Sequence, residues 1–310
     1  MSKVLLFYKY IYIPNPEELR TWHQNLCSSL QLTGRIILAS EGINGTIAGA
    51  TAQLEAYKKA LDEHPLFSGI DFKESDGDAS CFPRLNVVVK QEIVKLGIDP
   101  AQLSAHDGGI HLTPHEAHEL LHNKTDNVLV FDVRNNYESR IGSFEGAVKA
   151  PINNFRDLPE YIDTTLEQFK DKDVLMYCTG GIRCERASAY LKSKNIANNV
   201  YQITGGIHTY AEQFPHGFFK GKNYVFDARI SMPITADILT TCDFCTTPYD
   251  DYSNCINAHC NKQIIVCPPC ITQHNNTCST TCAEKVATKT VTIRNLPRTY
   301  KKPSSLPHPL

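Results

Sequence analysis

The chain has 310 residues, 42% of them hydrophobic and 21% charged, with a formal net charge of −2 and a pI near 6.6. This length and apolar content suit two or three domains, each with its own core, and exclude a disordered chain; the charge excludes a polycation that holds nucleic acid by bulk electrostatics, so any RNA contact must be local. No apolar run approaches the roughly 20 residues needed to span a bilayer, and the expectation is a cytoplasmic protein without membrane contact.

The first segment, MSKVLLFYKYIYIPNPEEL, has an apolar stretch broken by Tyr8, Lys9 and Tyr10 before Pro14, Glu17 and Glu18. It reads as a β-strand over residues 3–13 rather than a signal peptide. Pro16 to Leu30 follows with Leu19, Trp22, Leu26 and Leu30 at helical spacing. Arg35 to Ala39 and Gly45 to Ala48 read as strands around Ser40-Glu41-Gly42-Ile43-Asn44, a turn whose residues tolerate positive φ. A second helix is predicted over Thr51 to Glu63, and strand-like stretches after Gly69 end with Leu85-Asn86-Val87-Val88-Val89. The order βαββαβ predicts a ferredoxin-like (acylphosphatase-like) α+β domain over residues 1–100. For Glu41 to Gly45 two readings stand, an RNA-facing surface and a hairpin turn; Gly and Asn suffice to explain the turn. Arg84 and Lys90 are read either as phosphate contacts or as solvated charges.

Residues 101–111, with Gly108-Gly109, are predicted to be a linker. Over residues 112–222 helices and strands alternate. A helix opened by Thr113-Pro114-His115-Glu116 precedes a buried strand Val128 to Phe131, a helix near Tyr161 to Phe169 and a strand Val174 to Tyr177. After a loop come a helix from Cys184 to Lys194, a strand Val200 to Ile203 and the turn Gly205-Gly206. This predicts an α/β domain on a parallel sheet. Working sites in such sheets lie at the carboxyl ends of strands, and Cys178 directly follows one. Residues 223–240 read as a second linker.

The loop Cys178-Thr179-Gly180-Gly181-Ile182-Arg183 carries the candidate chemistry. Ahead of a helix, its backbone N–H groups have no intrahelical partner and meet the positive end of the helix dipole, so they stabilise an anion and lower the thiol pKa. Arg183 adds a permanent charge and a planar fork able to bind an oxyanion, and the glycines permit the tight curvature. A thiol after an apolar strand is ordinarily an inert core group; here the glycine pair, the arginine and the helix point to a catalytic thiolate. Asp132 and Arg134 either brace this loop or form a solvated ion pair. Cys184 is read as a packed helix residue or as a partner that traps oxidised Cys178.

These residues resemble the rhodanese family over about residues 112–222. Supporting features are Val130-Phe131-Asp132-Val133-Arg134 with Glu138, then Gly142-Ser143-Phe144-Glu145-Gly146-Ala147, Pro151 and Gly205-Gly206-Ile207. The resemblance implies a rhodanese domain whose six-residue loop curls around the cysteine; related phosphatases have a loop one residue longer. With Ser40-Glu41-Gly42-Ile43-Asn44-Gly45-Thr46, Phe82-Pro83-Arg84-Leu85-Asn86 and the cysteine-rich end, nearly the whole chain resembles the bacterial tRNA uridine hydroxylases. That resemblance implies oxygen-dependent hydroxylation of the wobble uridine to 5-hydroxyuridine, tRNA bound through its anticodon loop, and molecular oxygen as co-substrate. A thiolate adding to uracil C6 makes C5 nucleophilic, which fits this chemistry. No organic cofactor motif is evident. The alternatives are a sulfurtransferase working through a Cys178 persulfide and a non-catalytic RNA-binding or scaffold protein.

Of the twelve cysteines, eight lie in a module over residues 241–284: Cys242-x2-Cys245, Cys255-x4-Cys260, Cys267-x2-Cys270 and Cys278-x3-Cys282. Without a secretory signal, such pairs read as metal ligands before disulfides. Four thiolates per ion make a closed structural zinc site, so two zinc ions are expected, with sequential and interleaved pairing both open. A module this small needs metal to fold. The tail over residues 285–310, with Lys285, Lys289, Arg294, Arg298, Lys301 and Lys302, is read either as an RNA phosphate contact or as a solvated segment.

Overall fold

The computed structural model describes residues 2–293; Arg294, Arg298, Lys301 and Lys302 of the basic tail lie outside them. The N-terminal domain comprises β1 (Ser2–Tyr10), α1 (Pro16–Ser29), β2 (Thr33–Ala39), β3 (Gly42–Ala50), α2 (Thr51–Asp62), β4 (Phe72–Asp76) and β5 (Leu85–Val89). Asn15 caps α1 by accepting from the Glu18 amide, with Pro16 at the first turn and Glu17 and Glu18 facing the dipole. The antiparallel order β4-β1-β3-β2 is that of a split βαβ unit, and β5 adds to β2 in parallel. The βαββαβ unit therefore closes at Phe72–Asp76, and Leu85–Val89 is an extra edge strand reached through a 3-10 turn at Ala79–Cys81. Alternation along β1 divides its two faces. Leu5 and Phe7 enter the domain core with Ile36, Ile47, Leu54, Tyr57 and Leu61, which leaves Leu6, Tyr8 and Tyr10 for the opposite face.

That opposite face meets the second domain. Its elements are β6 (Ile110–Leu112), α3 (Pro114–His122), β7 (Val128–Asp132), α4 (Asn136–Ser139), β8 (Gly142–Phe144), β9 (Val148–Lys149), α5 (Leu158–Thr164), β10 (Asp173–Tyr177), α6 (Ile182–Ser193), β11 (Asn199–Ile203) and α7 (Gly206–Gln213). Thr113 and Glu116 form a capping box that starts α3. The parallel sheet runs β6-β11-β10-β7-β9. Val174 and Met176 of β10 pack with α5 and α6 on one face, while Leu175 and Tyr177 pack with α3 and α7 on the other.

Two segments read as linkers carry structure. Within residues 101–111 a 3-10 turn at Ala105–Asp107 precedes β6, the Gly109 amide donates to Ser188 Oγ at 2.7 Å and Lys192 Nζ donates to the Gly108 carbonyl at 2.7 Å, so the stretch is fastened to α6. Beyond α7, β12 (Phe219–Tyr224) pairs with β8, and β13 (Ser231–Pro233) pairs with β12. The cysteine-rich module follows, with β14 (Tyr252–Asn254), β15 (Gln263–Ile265), α8 (Pro268–Gln273) and α9 (Thr280–Ala287); Lys285 of the basic tail belongs to α9. No helix among the described residues is long and apolar enough to cross a membrane.

Candidate active site

Cys178 sits at the carboxyl end of β10, fully buried. Gly181, at φ 102°, ends the loop and starts α6 at Ile182, two residues earlier than periodicity predicts. This turn brings the Gly181 amide to donate to Cys178 Sγ at 3.2 Å. The turn after β11 closes the cradle from the other side: the Ile207 amide donates to the Cys178 carbonyl at 2.9 Å and the His208 amide to that of Thr179 at 3.0 Å. A Cβ on Gly206 would lie 2.4 Å from the Cys178 carbonyl oxygen, so only glycine fits this approach.

Burial pushes the Cys178 thiol up, but the Cys184 thiol donating to it, the Arg183 charge and the Arg183 and Cys184 amides outweigh burial and lower its pKa to about 6. Burial and the bond to Cys178 hold Cys184 protonated, well above the ordinary thiol range. The pair thus carries one thiolate, on Cys178, and one thiol. This contact is available because Cys184 lies in the first turn of α6, also fully buried.

Arg183 occupies a different place from the one sequence suggests. Instead of offering its fork to an oxyanion, it is paired at both ends with the buried Glu138 carboxylate, Nη2 to Oε2 at 2.7 Å and Nη1 to Oε1. Its Nη2 also donates to Thr179 Oγ1 at 3.3 Å, and Phe226 covers the guanidinium at 5.7 Å. The loop amides, with Ile182 at their helical end, are the groups left to receive an anion. Asp132 and Arg134 are both fully buried, which corrects the solvated-pair reading. Arg134 Nε meets Asp132 Oδ1 at 2.9 Å, and the Tyr177 hydroxyl, one residue before Cys178, donates to Asp132 Oδ2 at 2.7 Å.

The N-terminal domain forms the roof. A Cβ on Gly180 would meet Leu6 and one on Gly181 would meet the Tyr8 hydroxyl, each at 2.7 Å. The Tyr8 hydroxyl donates to Glu185 Oε1 at 3.0 Å and that of Tyr10 to the Ile182 carbonyl at 3.3 Å. Arg186, fully buried on α6, reaches Glu41 at 2.6 Å and the Ile98 carbonyl at 2.6 Å. Asn44 donates to the Ile93 carbonyl at 2.9 Å. Glu41 and Asn44, one reading of which was an RNA-facing surface, are thus engaged inside the protein, in a turn of only Ser40 and Glu41.

The eight cysteines of the last module form two clusters, Cys242 with Cys245, Cys267 and Cys270, and Cys255 with Cys260, Cys278 and Cys282, the Sγ atoms of each lying within 4.8 Å of one another. The pairing is interleaved. Separations of 3.5 Å for Cys245–Cys267 and Cys260–Cys278 and 3.7 Å for Cys278–Cys282 approach the roughly 3.8 Å edge of a tetrahedron with metal–sulfur bonds of about 2.3 Å. Amides of Cys267 and Cys278 point at Cys242 and Cys255 Sγ, at 3.5 and 3.4 Å, as donors that favour thiolates.

Three family models match in series: the UPF0176 acylphosphatase like domain at residues 2–93, the rhodanese-like domain at 113–213 and the rhodanase C-terminal domain at 220–283. Relatives named tRNA uridine(34) hydroxylase align along almost the full length. That of Staphylococcus saprophyticus is 40% identical over 303 residues, 95% of this chain and 94% of that protein. Those of Corynebacterium urealyticum, at 38% identity over 89% of this chain and 96% of that protein, and Acholeplasma laidlawii, at 40% over 90% and 89%, agree. The chain belongs to the tRNA uridine(34) hydroxylase family. In this member of the tRNA uridine(34) hydroxylase family, Glu138 as the partner of Arg183 and Tyr8 and Tyr10 as the roof emerge only with the fold. The first had a signal in a lone acid three residues after Asn135 at a short helix start; the second had only tyrosines on the alternate positions of an apolar strand.

Proposed function

We propose that this chain hydroxylates uridine 34 of tRNA at C5, with molecular oxygen as co-substrate and Cys178 as covalent catalyst. The observation that carries the reading is the buried Cys178 thiol held in an amide-lined loop, its Sγ accepting from the Gly181 amide at 3.2 Å, within a chain whose full-length relatives bear that activity's name. The thiolate adds to uracil C6, and the electron pair arriving at C5 makes that carbon the nucleophile that captures oxygen. One oxygen atom stays on C5 in place of hydrogen; the other leaves as water with two electrons from a reductant. The sulfur then departs from C6 as thiolate, favoured by its low pKa. A wobble base in a single-stranded loop reaches such a pocket without opening a duplex.

In this reading Thr179, Gly180, Gly181 and Ile182 shape the cradle, Arg183 holds charge beside the sulfur while fixed by Glu138, and Asp132 with Arg134 braces the strand end through Tyr177. The two cysteine clusters are read as structural zinc sites, closed by four thiolates each, which fold the last module; the protein acts in the cytoplasm. The six-residue loop also suits sulfur transfer through a Cys178 persulfide. Labelled oxygen gas separates the readings: the label is expected in the 5-hydroxyuridine formed, as read by nucleoside mass spectrometry. Label from water, or a sulfur-bearing product, overturns the oxygen route, and full 5-hydroxyuridine formation by Cys178→Ser overturns the covalent one.

A further inference from the structure

Between the face of the N-terminal sheet, the turn that leads into edge strand β6 and the carboxyl end of β11 lies a cavity of about 440 Å³, walled in part by Tyr8, Tyr10, Lys73, His111, Glu185 and Gly205. The chemistry at Cys178 uses none of these side chains. Its volume falls in the range of small-ligand sites, roughly 300–1,000 Å³, and a domain junction at strand carboxyl ends is where such sites form. Cys178 is not in its wall. Yet Gly205 is followed by Gly206, which packs directly on the Cys178 carbonyl, and Tyr8 rests on Gly181, so the cavity and the cysteine loop share a partition one residue thick.

The lining combines three kinds of group. Tyr8 and Tyr10 are half-buried rings with centroids 6.1 Å apart, and Lys73 Nζ lies 5.4 Å from the Tyr8 ring. Glu185 accepts from Tyr8 and His111 at 3.0 Å each through Oε1 and from Gln202 at 2.9 Å through Oε2. A carboxylate has about four acceptor directions, so one remains, and His111 Nδ1 has no protein partner among the described residues. Lys73 is paired with Asp71, also in the wall, at 2.8 Å, and the Lys9 ammonium donates to the Ser68 carbonyl at 2.7 Å; the remaining ammonium hydrogens of both, with His106, are donors for phosphate oxygens. Aromatic faces, a carboxylate–imidazole pair for a base edge and cations for the backbone are the groups that hold an unstacked nucleotide of a single strand.

We propose that this cavity receives a second nucleotide of the RNA loop, a neighbour of the uridine presented to Cys178. The proposal rests on the tRNA reading above. Holding that neighbour fixes the register of the loop and so decides which base meets the thiolate. Its test is an abasic scan of an anticodon stem-loop RNA, with dissociation constants measured for the full-length wild type, His111→Ala and the cavity-filling His111→Trp; His111 has a side chain 52% exposed, so both variants keep the core intact. Removing one base beside uridine 34 is expected to weaken wild-type binding about tenfold. His111→Trp should bind the intact RNA about tenfold more weakly and lose nothing further at that position, with other positions unaffected and His111→Ala between the two. Equal losses in wild type and variants, or a loss shared only with uridine 34 itself, overturn the second-nucleotide site. If the wild type neither binds nor hydroxylates the intact stem-loop, the tRNA reading falls and this proposal with it; hydroxylation without the coupling overturns the cavity assignment alone.

Discussion

Tyr8 on β1 and Glu185 on α6 meet across the domain junction, the phenol donating to the carboxylate at 3.0 Å while its ring lies over Gly181. Burial, and then the Glu185 charge, keep that phenol protonated, so it remains a donor throughout the physiological range. Because Cys178 is fully buried beneath this contact, any substrate requires Tyr8 or its neighbours to move. Tyr8→Ala is expected to raise the rate at which a bulky disulfide reagent modifies Cys178 on the order of tenfold, with Tyr8→Phe changing it far less. Equal rates in all three proteins, followed by mass spectrometry of the labelled peptide, would show that Tyr8 is not the cover.

The Cys178 thiolate can be titrated directly by its ultraviolet absorbance, taking the difference between wild type and Cys178→Ser. A midpoint near pH 6 is expected, and Cys184→Ala, which removes the donated S–H, should move it upward. The linkage has a definite sign. A thiol whose folded pKa lies below its unfolded value near 9 contributes stability fully present above pH 9, which is lost as pH falls to about 6. Relative to Cys178→Ser, the wild type should therefore gain stability as pH rises through that window; a difference independent of pH refutes the depressed thiol.

Much of this site is visible in the sequence because its parts are contiguous. The loop from Cys178 to Arg183, the glycine turn at Gly205-Gly206 and the cysteine pairs are local patterns whose chemistry depends on short spacing. What stayed hidden depends on tertiary contact. Arg183 looks free until the chain brings Glu138 to it, and Asp132 and Arg134 read equally as a brace or as a solvated pair until β7 is enclosed by helices on both faces. The interleaved cysteine pairing follows from the β14–β15 hairpin carrying the second pair away from the first, which spacing leaves undetermined. Gly108-Gly109 reads as a flexible linker for the same reason: small residues serve a turn and a close helix contact equally well.

Glu138 and Arg183 form a buried pair, so removing one partner leaves a charge without compensation. Glu138→Ala is expected to lose about 3–5 kcal/mol of unfolding free energy in denaturant titration. With the carboxylate gone, the unneutralised Arg183 should lower the Cys178 pKa further, so the thiolate midpoint drops even as stability falls. A stability change below about 1 kcal/mol, or a midpoint that rises, contradicts the assigned pairing.

Metal content tests the interleaved sites. The wild type is expected to hold two zinc ions by elemental analysis, one for each four-cysteine cluster. Cys242→Ser and Cys267→Ser should each weaken the same ion, so the double variant retains about one, whereas Cys242→Ser with Cys255→Ser should weaken both. Sequential pairing also separates Cys242 from Cys267 and reverses this pattern, because Cys242 would then share an ion with Cys255. The module reaches the active loop: the Tyr252 hydroxyl donates to the Tyr137 carbonyl at 2.8 Å, next to Glu138, and Arg140 pairs with Asp243 beside Cys242. Stripping the metal with a chelator should therefore loosen the Glu138–Arg183 pair and move the Cys178 titration midpoint as well as unfold the module. An unchanged midpoint in the metal-free protein would show that the module folds on its own account and does not buttress the cysteine loop.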